Sequence, residues 1–62
     1  MIIGNATTKA AAFDIARPAA QERGYVYVCQ WPSQHWTVET RKPLLRGPVV
    51  IEVHDNGDAF CA

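Results

Sequence analysis

The residues of this chain that could carry out catalysis are few, and the first pair to consider is Cys29 with His35. A thiol beside an imidazole can act as a nucleophile beside its base, because the imidazolium lowers the pKa of the thiol. A hairpin turn centred on Pro32 and Ser33 would place these two side chains on opposite faces of a sheet, and no third residue is evident to orient the histidine. We therefore interpret Cys29 as a core residue, as free cysteines often are, and predict that the protein is not an enzyme.

Metal binding is the second chemistry to consider. Zinc accepts histidine, cysteine and glutamate as ligands, and the predicted outer face of the sheet could hold His35, Glu52, His54 and Cys61. Their spacing follows no zinc motif, and the turn at residues 55–58 lacks the alternating ligands and the distant glutamate of a calcium loop. We predict no metal and no cofactor, and the sequence leaves open whether His35, His54 and Cys61 bind a metal.

The segment at residues 41–48 is the most informative candidate for a binding surface. It contains three of the six basic residues and two adjacent leucines, with prolines at positions 43 and 48. Prolines lower the entropy cost of ordering a loop, leucines can anchor it in a partner, and cations select an acidic partner. With the tryptophan of the neighbouring hairpin turn, the predicted partner-binding residues are Arg41, Lys42, Leu44, Leu45, Arg46 and Trp31. The alternative interpretation is that one leucine folds back over the core and that the cations form a solvated rim.

The first element that the sequence predicts is a helix near the N-terminus. Seven of the nine alanines lie between positions 6 and 20, which predicts a helix because alanine is the best helix former. Asn5 is the expected N-cap, and Gly24 is the expected end of the helical region. Pro18 should break or kink the helix near Ala16, because it lacks an amide donor and clashes with the preceding turn. The apolar stripe that faces the core should be centred on Phe13 and Ile15.

Strands follow Gly24, where the apolar pattern changes to alternation. We predict strands at residues 25–30, 35–41, 49–54 and 59–62, with hairpins centred on Pro32-Ser33 and Asn56-Gly57. Residues 1–3 either add an edge strand or cover the core. In this register the residues predicted to share the core face are Tyr25, Tyr27, Cys29, Trp36, Val38, Val49, Ile51, Val53 and Phe60. Cys61 would point outward, and both cysteines would be free thiols. A bulge of one residue would reverse these faces.

Length and charge set the limits of this interpretation. The chain has 62 residues and a net charge of zero, so we expect one small domain over residues 1–62 and no uniformly basic surface for nucleic acid. The longest apolar run, at residues 25–29, is too short to cross a bilayer, and no basic-then-apolar signal precedes it, so we expect a cytoplasmic protein. The predicted fold is α+β, with an N-terminal helical segment, kinked or broken at Pro18, packed on a three- to four-stranded antiparallel sheet.

The function we expect is that of a small non-enzymatic protein-binding module, an accessory or inhibitor protein that docks on a larger protein partner with an acidic surface. Phage and other mobile elements often encode compact proteins of this style. The separation of basic and acidic patches also allows homo-oligomers. The alternative is a small nucleic-acid-binding protein that uses the basic loop at residues 41–46 and Trp31.

Overall fold

One helix packs on one face of a five-stranded antiparallel sheet in the computed structural model, which describes residues 1–62. The elements in chain order are β1 (Ile2–Ala6), α1 (Lys9–Arg23), β2 (Tyr25–Gln30), β3 (Trp36–Glu39), β4 (Val49–His54) and β5 (Ala59–Cys61). The strands lie in the order β1-β3-β2-β4-β5, so β2 is central. The α+β class is confirmed. The strand count of three to four is wrong, because the residues before the helix form a full edge strand.

The helix is continuous, and the predicted break at Pro18 is not seen. The N-cap is Thr8 and not Asn5, which lies in β1; the Thr8 Oγ1 accepts from the Ala11 amide at 3.1 Å. Gly24 ends the helix as predicted, with a φ of 97° and its amide donating to the Ala20 carbonyl at 2.7 Å. A proline removes one helical hydrogen bond, and tertiary packing on both sides of it can hold the helix together. The helix is neither long enough nor apolar enough to cross a membrane.

The core lies between α1 and the sheet, and the helix contributes small side chains to it. Ala12, Ala16 and Ala20 are fully buried, whereas Phe13 and Ile15, the expected centre of the stripe, are partly buried at its margins. The sheet residues packed against these alanines are Val26, Val28, Trp36, Val38 and Val53. Because alanine side chains are short, the helix backbone can lie close to the sheet.

Gly4 lies in β1 where the strand packs tightly against Ile15 of the helix. A Cβ atom added at Gly4 would lie 2.8 Å from Cγ2 of Ile15, which is closer than two carbon atoms can approach without strain. The missing side chain therefore allows the edge strand to pack under α1.

The hairpin between β2 and β3 has a three-residue turn and not the predicted two-residue turn. The Trp31 amide donates to the His35 carbonyl at 3.0 Å, which closes the turn around residues 32–34. Gln34 has a φ of 67°, the left-handed conformation that the last residue of such turns adopts. Gln30 therefore pairs with Trp36, and Cys29 pairs with Thr37 instead of Trp36.

The pairing of β4 with β5 is also shifted by one residue from the predicted register, because this hairpin has a three-residue turn as well. The His54 amide donates to the Asp58 carbonyl at 2.8 Å, so the turn comprises residues 55–57, and Gly57 has a φ of 92°. Phe60 therefore pairs with Glu52 and not with Val53.

These shifts reverse part of the predicted core face. The valines of β2 face the helix, and the prediction that Tyr25, Tyr27 and Cys29 share the face of Trp36 and Val38 is wrong. In β4, Val53 is a core residue as predicted. Phe60 belongs to the face opposite the helix, and Cys61, which pairs with Ile51, belongs to the helix side.

The connection between β3 and β4 crosses the sheet. β3 ends with Glu39 opposite Tyr27, and β4 begins with Val49 opposite Gln30, so residues 40–48 run back along the length of β2. The crossover through α1 occupies one face. β3 and β4 are parallel to each other but run opposite to β1 and β2. Because connections between parallel strands are right-handed, the β3–β4 connection passes over the face opposite α1.

Replacing Gly4 with alanine should destabilise the protein by roughly 1 to 3 kcal/mol, because the added methyl group overlaps Ile15. The measurement is chemical denaturation of G4A, I15A and the double variant. Removing Cγ2 of Ile15 relieves the overlap, so the double variant should be more stable than the sum of the single effects. Strictly additive effects would show that the contact at Gly4 is not the cause.

Replacing Gln34 with glycine should raise the free energy of unfolding by roughly 0.5 to 1 kcal/mol, because glycine adopts a positive φ without a steric penalty. The matched control is Ser33→Gly, in the same turn without a positive φ, which should destabilise. A Q34G variant that is less stable than the wild type would contradict the assignment of the turn.

Candidate functional site

The loop at residues 41–46 presents its leucines to solvent. Leu44 is fully exposed and Leu45 is 72% exposed, so neither side chain folds back over the core. Arg41, Lys42 and Arg46 are also exposed, and none of them forms an ion pair within the chain. The sequence therefore located an exposed apolar pair among unpaired cations.

The loop is held at its C-terminal end against the β2–β3 turn. Gly47 has a φ of 117°, and a Cβ added there would lie 3.6 Å from Cγ of Pro32. The two prolines of the loop, at positions 43 and 48, are half-buried. The loop therefore packs against the β2–β3 turn near Gly47, while the side chains of Leu44 and Leu45 are exposed to solvent.

Trp31, predicted as a second anchor, is largely engaged within the chain. Its Nε1 donates to Oγ1 of Thr37 at 2.8 Å, and its ring stacks on His35 with centroids 6.4 Å apart. The structure thus brings the turn that contains Trp31 beside the loop, but it directs the indole onto the sheet.

The sheet face opposite α1 carries the polar and aromatic side chains of the strands. On strands β2 to β5 this face, which we call the open face, comprises Tyr25, Tyr27, Cys29, Thr37, Glu39, Val50, Glu52, His54 and Phe60. The predicted register assigned Tyr25, Tyr27, Cys29 and Phe60 to the core, so sequence reasoning missed the open face as a site. The signal that could have found it is the valine pair of β2, which fits the core as well as the tyrosines do.

One half of the open face is buried without help from the helix. Cys29 is fully buried, Thr37 is 2% exposed and Glu39 is 9% exposed. Thr37 Oγ1 donates to Oε2 of Glu39 at 2.7 Å and accepts from Trp31, so the buried polar atoms are satisfied. The course of residues 40–48 along β2 places the crossing connection over this half.

Burial sets the chemistry of Cys29. Desolvation, followed by the negative charge of Glu39, raises the pKa of its thiol to about 11. The thiolate is the nucleophilic form of cysteine, so this thiol is a poor nucleophile at neutral pH. The Nδ1 of His35 hydrogen-bonds with the hydroxyl of Ser33, and no hydrogen bond joins His35 to Cys29.

The other half of the open face is aromatic and partly exposed. His54 lies between Tyr25 and Phe60, with ring centroids 5.8 and 5.0 Å away, and its Nε2 lies 2.5 Å from Oε2 of Glu52. Tyr25 and Tyr27 meet edge to face at 5.8 Å. Burial, followed by the charge of Glu52, raises the pKa of Tyr27.

The candidate metal ligands do not come together. Glu52 and His54 are neighbours on the open face, but Cys61 lies on the helix side, contrary to the predicted outward register. His35 lies at the β2–β3 turn. No group of three or more histidine, cysteine, aspartate or glutamate side chains is close enough to hold an ion. Both cysteines are free, as predicted.

At pH 8, iodoacetamide should alkylate the exposed Cys61 and leave Cys29 unmodified in the folded protein, because Cys29 is buried with a pKa of about 11. Peptide mass spectrometry measures both sites. Equal labelling rates under native conditions would contradict the buried thiol.

The same thiol should make stability depend on alkaline pH. Its folded-state pKa lies above the ordinary value of 9.0, so its contribution is complete below pH 9 and is lost as pH rises towards 11. The expected loss is roughly 2 to 3 kcal/mol in the free energy of unfolding. The variant C29A should lack this part of the pH dependence.

Comparison with known proteins gives no match to a family model, to a curated protein or to a solved structure. Two surfaces of this chain stand out, the exposed loop at residues 41–46 and the open face of the sheet.

Proposed function

We propose that the protein is a small non-enzymatic binding module, an accessory or inhibitor protein that docks on a larger protein partner through the loop at residues 41–46. The observation that supports this proposal is the full exposure of Leu44 beside a Leu45 that is 72% exposed. Moving one leucine side chain from water to an apolar pocket contributes roughly 1.5 to 3 kcal/mol. A partner pocket that receives both leucines gains this energy twice, before the costs of association.

The loop is suited to docking because little order remains to be imposed on it. Its prolines restrict the backbone, and Gly47 rests against Pro32. A loop that is ordered before binding loses less conformational entropy on binding.

The charge of the loop specifies the partner surface. Arg41, Lys42 and Arg46 are exposed and lack ion pairs within the chain. Carboxylates around an apolar pocket would complement them, and such complementarity raises the association rate and excludes basic partners. The free cysteines fit a reducing compartment such as the cytoplasm, and a protein partner there.

A nucleic-acid interface built from the same cations and Trp31 is the alternative. Base stacking needs an uncovered aromatic face, but the ring of Trp31 stacks on His35 and its Nε1 is bonded to Thr37. Leu44 and Leu45 are exposed in the same loop, and phosphate groups do not bind leucine side chains. These features favour the protein partner. Retardation of a labelled oligonucleotide that weakens steeply as salt rises would favour nucleic acid instead.

The loop should carry partner capture. The wild type should capture its partner from an extract of the native host, and mass spectrometry should show that L44S/L45S does not capture it. Titration of the purified partner should show an affinity reduced roughly 30-fold, the effect of about 2 kcal/mol at an interface anchor. R41S/K42S/R46S should lower the association rate and its dependence on salt.

The matched control is K9S/R23S, which removes two exposed cations from the helix and should leave capture unchanged. Circular dichroism and thermal denaturation check that each variant is folded. Capture of the same partner with unchanged affinity by both loop variants would overturn the proposal.

A further inference from the structure

We propose that two copies of this chain form a two-fold dimer in which the loop at residues 41–46 of each copy docks on the exposed aromatic part of the open face of the other. We call this part the aromatic corner, and it comprises Tyr25, His54, Asp58 and Phe60. The inference rests on the proposed function, because the same loop is the docking element. The dimer covers the loop until a larger partner takes the place of the second copy.

Large apolar side chains are exposed together on one side of the sheet. Leu44 and Leu45 are 100% and 72% exposed in the connection that crosses the open face, and Tyr25 and Phe60 are 47% and 52% exposed on that face itself. Seven large apolar residues of the chain are exposed, so more than half of them lie on this side. Clustered exposed apolar residues mark an interaction surface, whereas scattered ones do not.

The loop and the aromatic corner are complementary in charge. Arg41, Lys42 and Arg46 have no ion pair within the chain. The His54 amide donates to the Asp58 carbonyl, so these two residues lie opposite each other and share the open face. Asp58 is exposed and also has no ion pair. Its carboxylate and the neighbouring rings both attract cations, and the rings accept leucine side chains.

The placement of both surfaces on one side of the sheet sets the symmetry of the dimer. A two-fold axis parallel to the sheet, running between the loop and the aromatic corner, lays each loop over the corner of the other copy. Every contact is then made twice, and the assembly closes as a dimer instead of growing into a fibre. A standard interface buries about 800 Å² of each partner, roughly a fifth of the 4088 Å² surface of this chain.

Sedimentation equilibrium from micromolar to millimolar concentration should show that the wild type dimerises. L44S/L45S and F60S should each weaken dimerisation roughly 100-fold, because each variant loses about tenfold at both of two equivalent contacts. The matched control is V49S. Val49 is 54% exposed, as much as Phe60, but it lies on the helix side of the sheet, so V49S should dimerise as the wild type does. Circular dichroism checks that each variant is folded.

Mixing the two variants tests whether the loop meets the aromatic corner. A dimer of L44S/L45S with F60S keeps one intact contact, between the loop of F60S and the corner of L44S/L45S, whereas neither variant alone keeps any. An equimolar mixture should therefore contain more dimer than either variant at the same total concentration. If F60S does not fold, Asp58→Arg replaces it, because it reverses an exposed charge of the corner.

The dimer and the docking proposal can fail separately. A wild type that stays monomeric at millimolar concentration would overturn the dimer and leave the capture of a partner by the loop as it was. F60S should capture that partner at least as well as the wild type, because its loop is not covered by a second copy. Loss of capture with F60S would assign the aromatic corner to the partner and overturn the dimer.

Two further results would also overturn it. Dimerisation of F60S with unchanged affinity would show that the aromatic corner takes no part. A mixture with no more dimer than the separate variants would show that the loop and the corner do not meet.

Discussion

The single helix of this protein can cover only one face of the five-stranded sheet. The packing of both faces and the distribution of charge follow from that constraint. The covered face is a plain hydrophobic core of valines against an alanine row, with Trp36 at one end. The other face cannot rely on a second helix. It is closed on one side by the crossing connection at residues 40–48 and by Trp31, and its buried polar atoms are satisfied by the hydrogen bonds among Trp31, Thr37 and Glu39.

The chain has no net charge, but its lysines and arginines lie apart from the glutamates of the sheet. Helix and loop hold all the lysines and arginines, and the strands hold Glu39, Glu52 and the His54 that bonds to Glu52. The loop and the open face therefore differ in charge. The loop presents leucines and cations, and the exposed half of the open face presents aromatic rings and the carboxylate of Glu52.

Much of the fold could be predicted from the sequence, but the faces of the sheet could not. The alternation after Gly24 located the strands, and the clustered cations and leucines located the loop. The register failed because Gln34, a residue without a preference for positive φ, closes a three-residue turn, and because Asn-Gly fits a three-residue turn as well as a two-residue one. An error of one residue in the register assigned the tyrosines of β2 to the core in place of its valines. The open face was therefore not predicted. At Pro18 the local preference was overridden by packing of Ala16 and Ala20 on either side.

The crossing connection also has a kinetic consequence. It alone brings β4 to the side of β2 away from β3, so the central strand acquires its second neighbour only after residues 40–48 have closed over the sheet. Closure entropy rises by about 0.6 kcal/mol for each doubling of loop length, and non-local pairing slows folding. Lengthening this segment would therefore slow the assembly of the sheet, which ties the length of the connection to the folding rate of the whole domain.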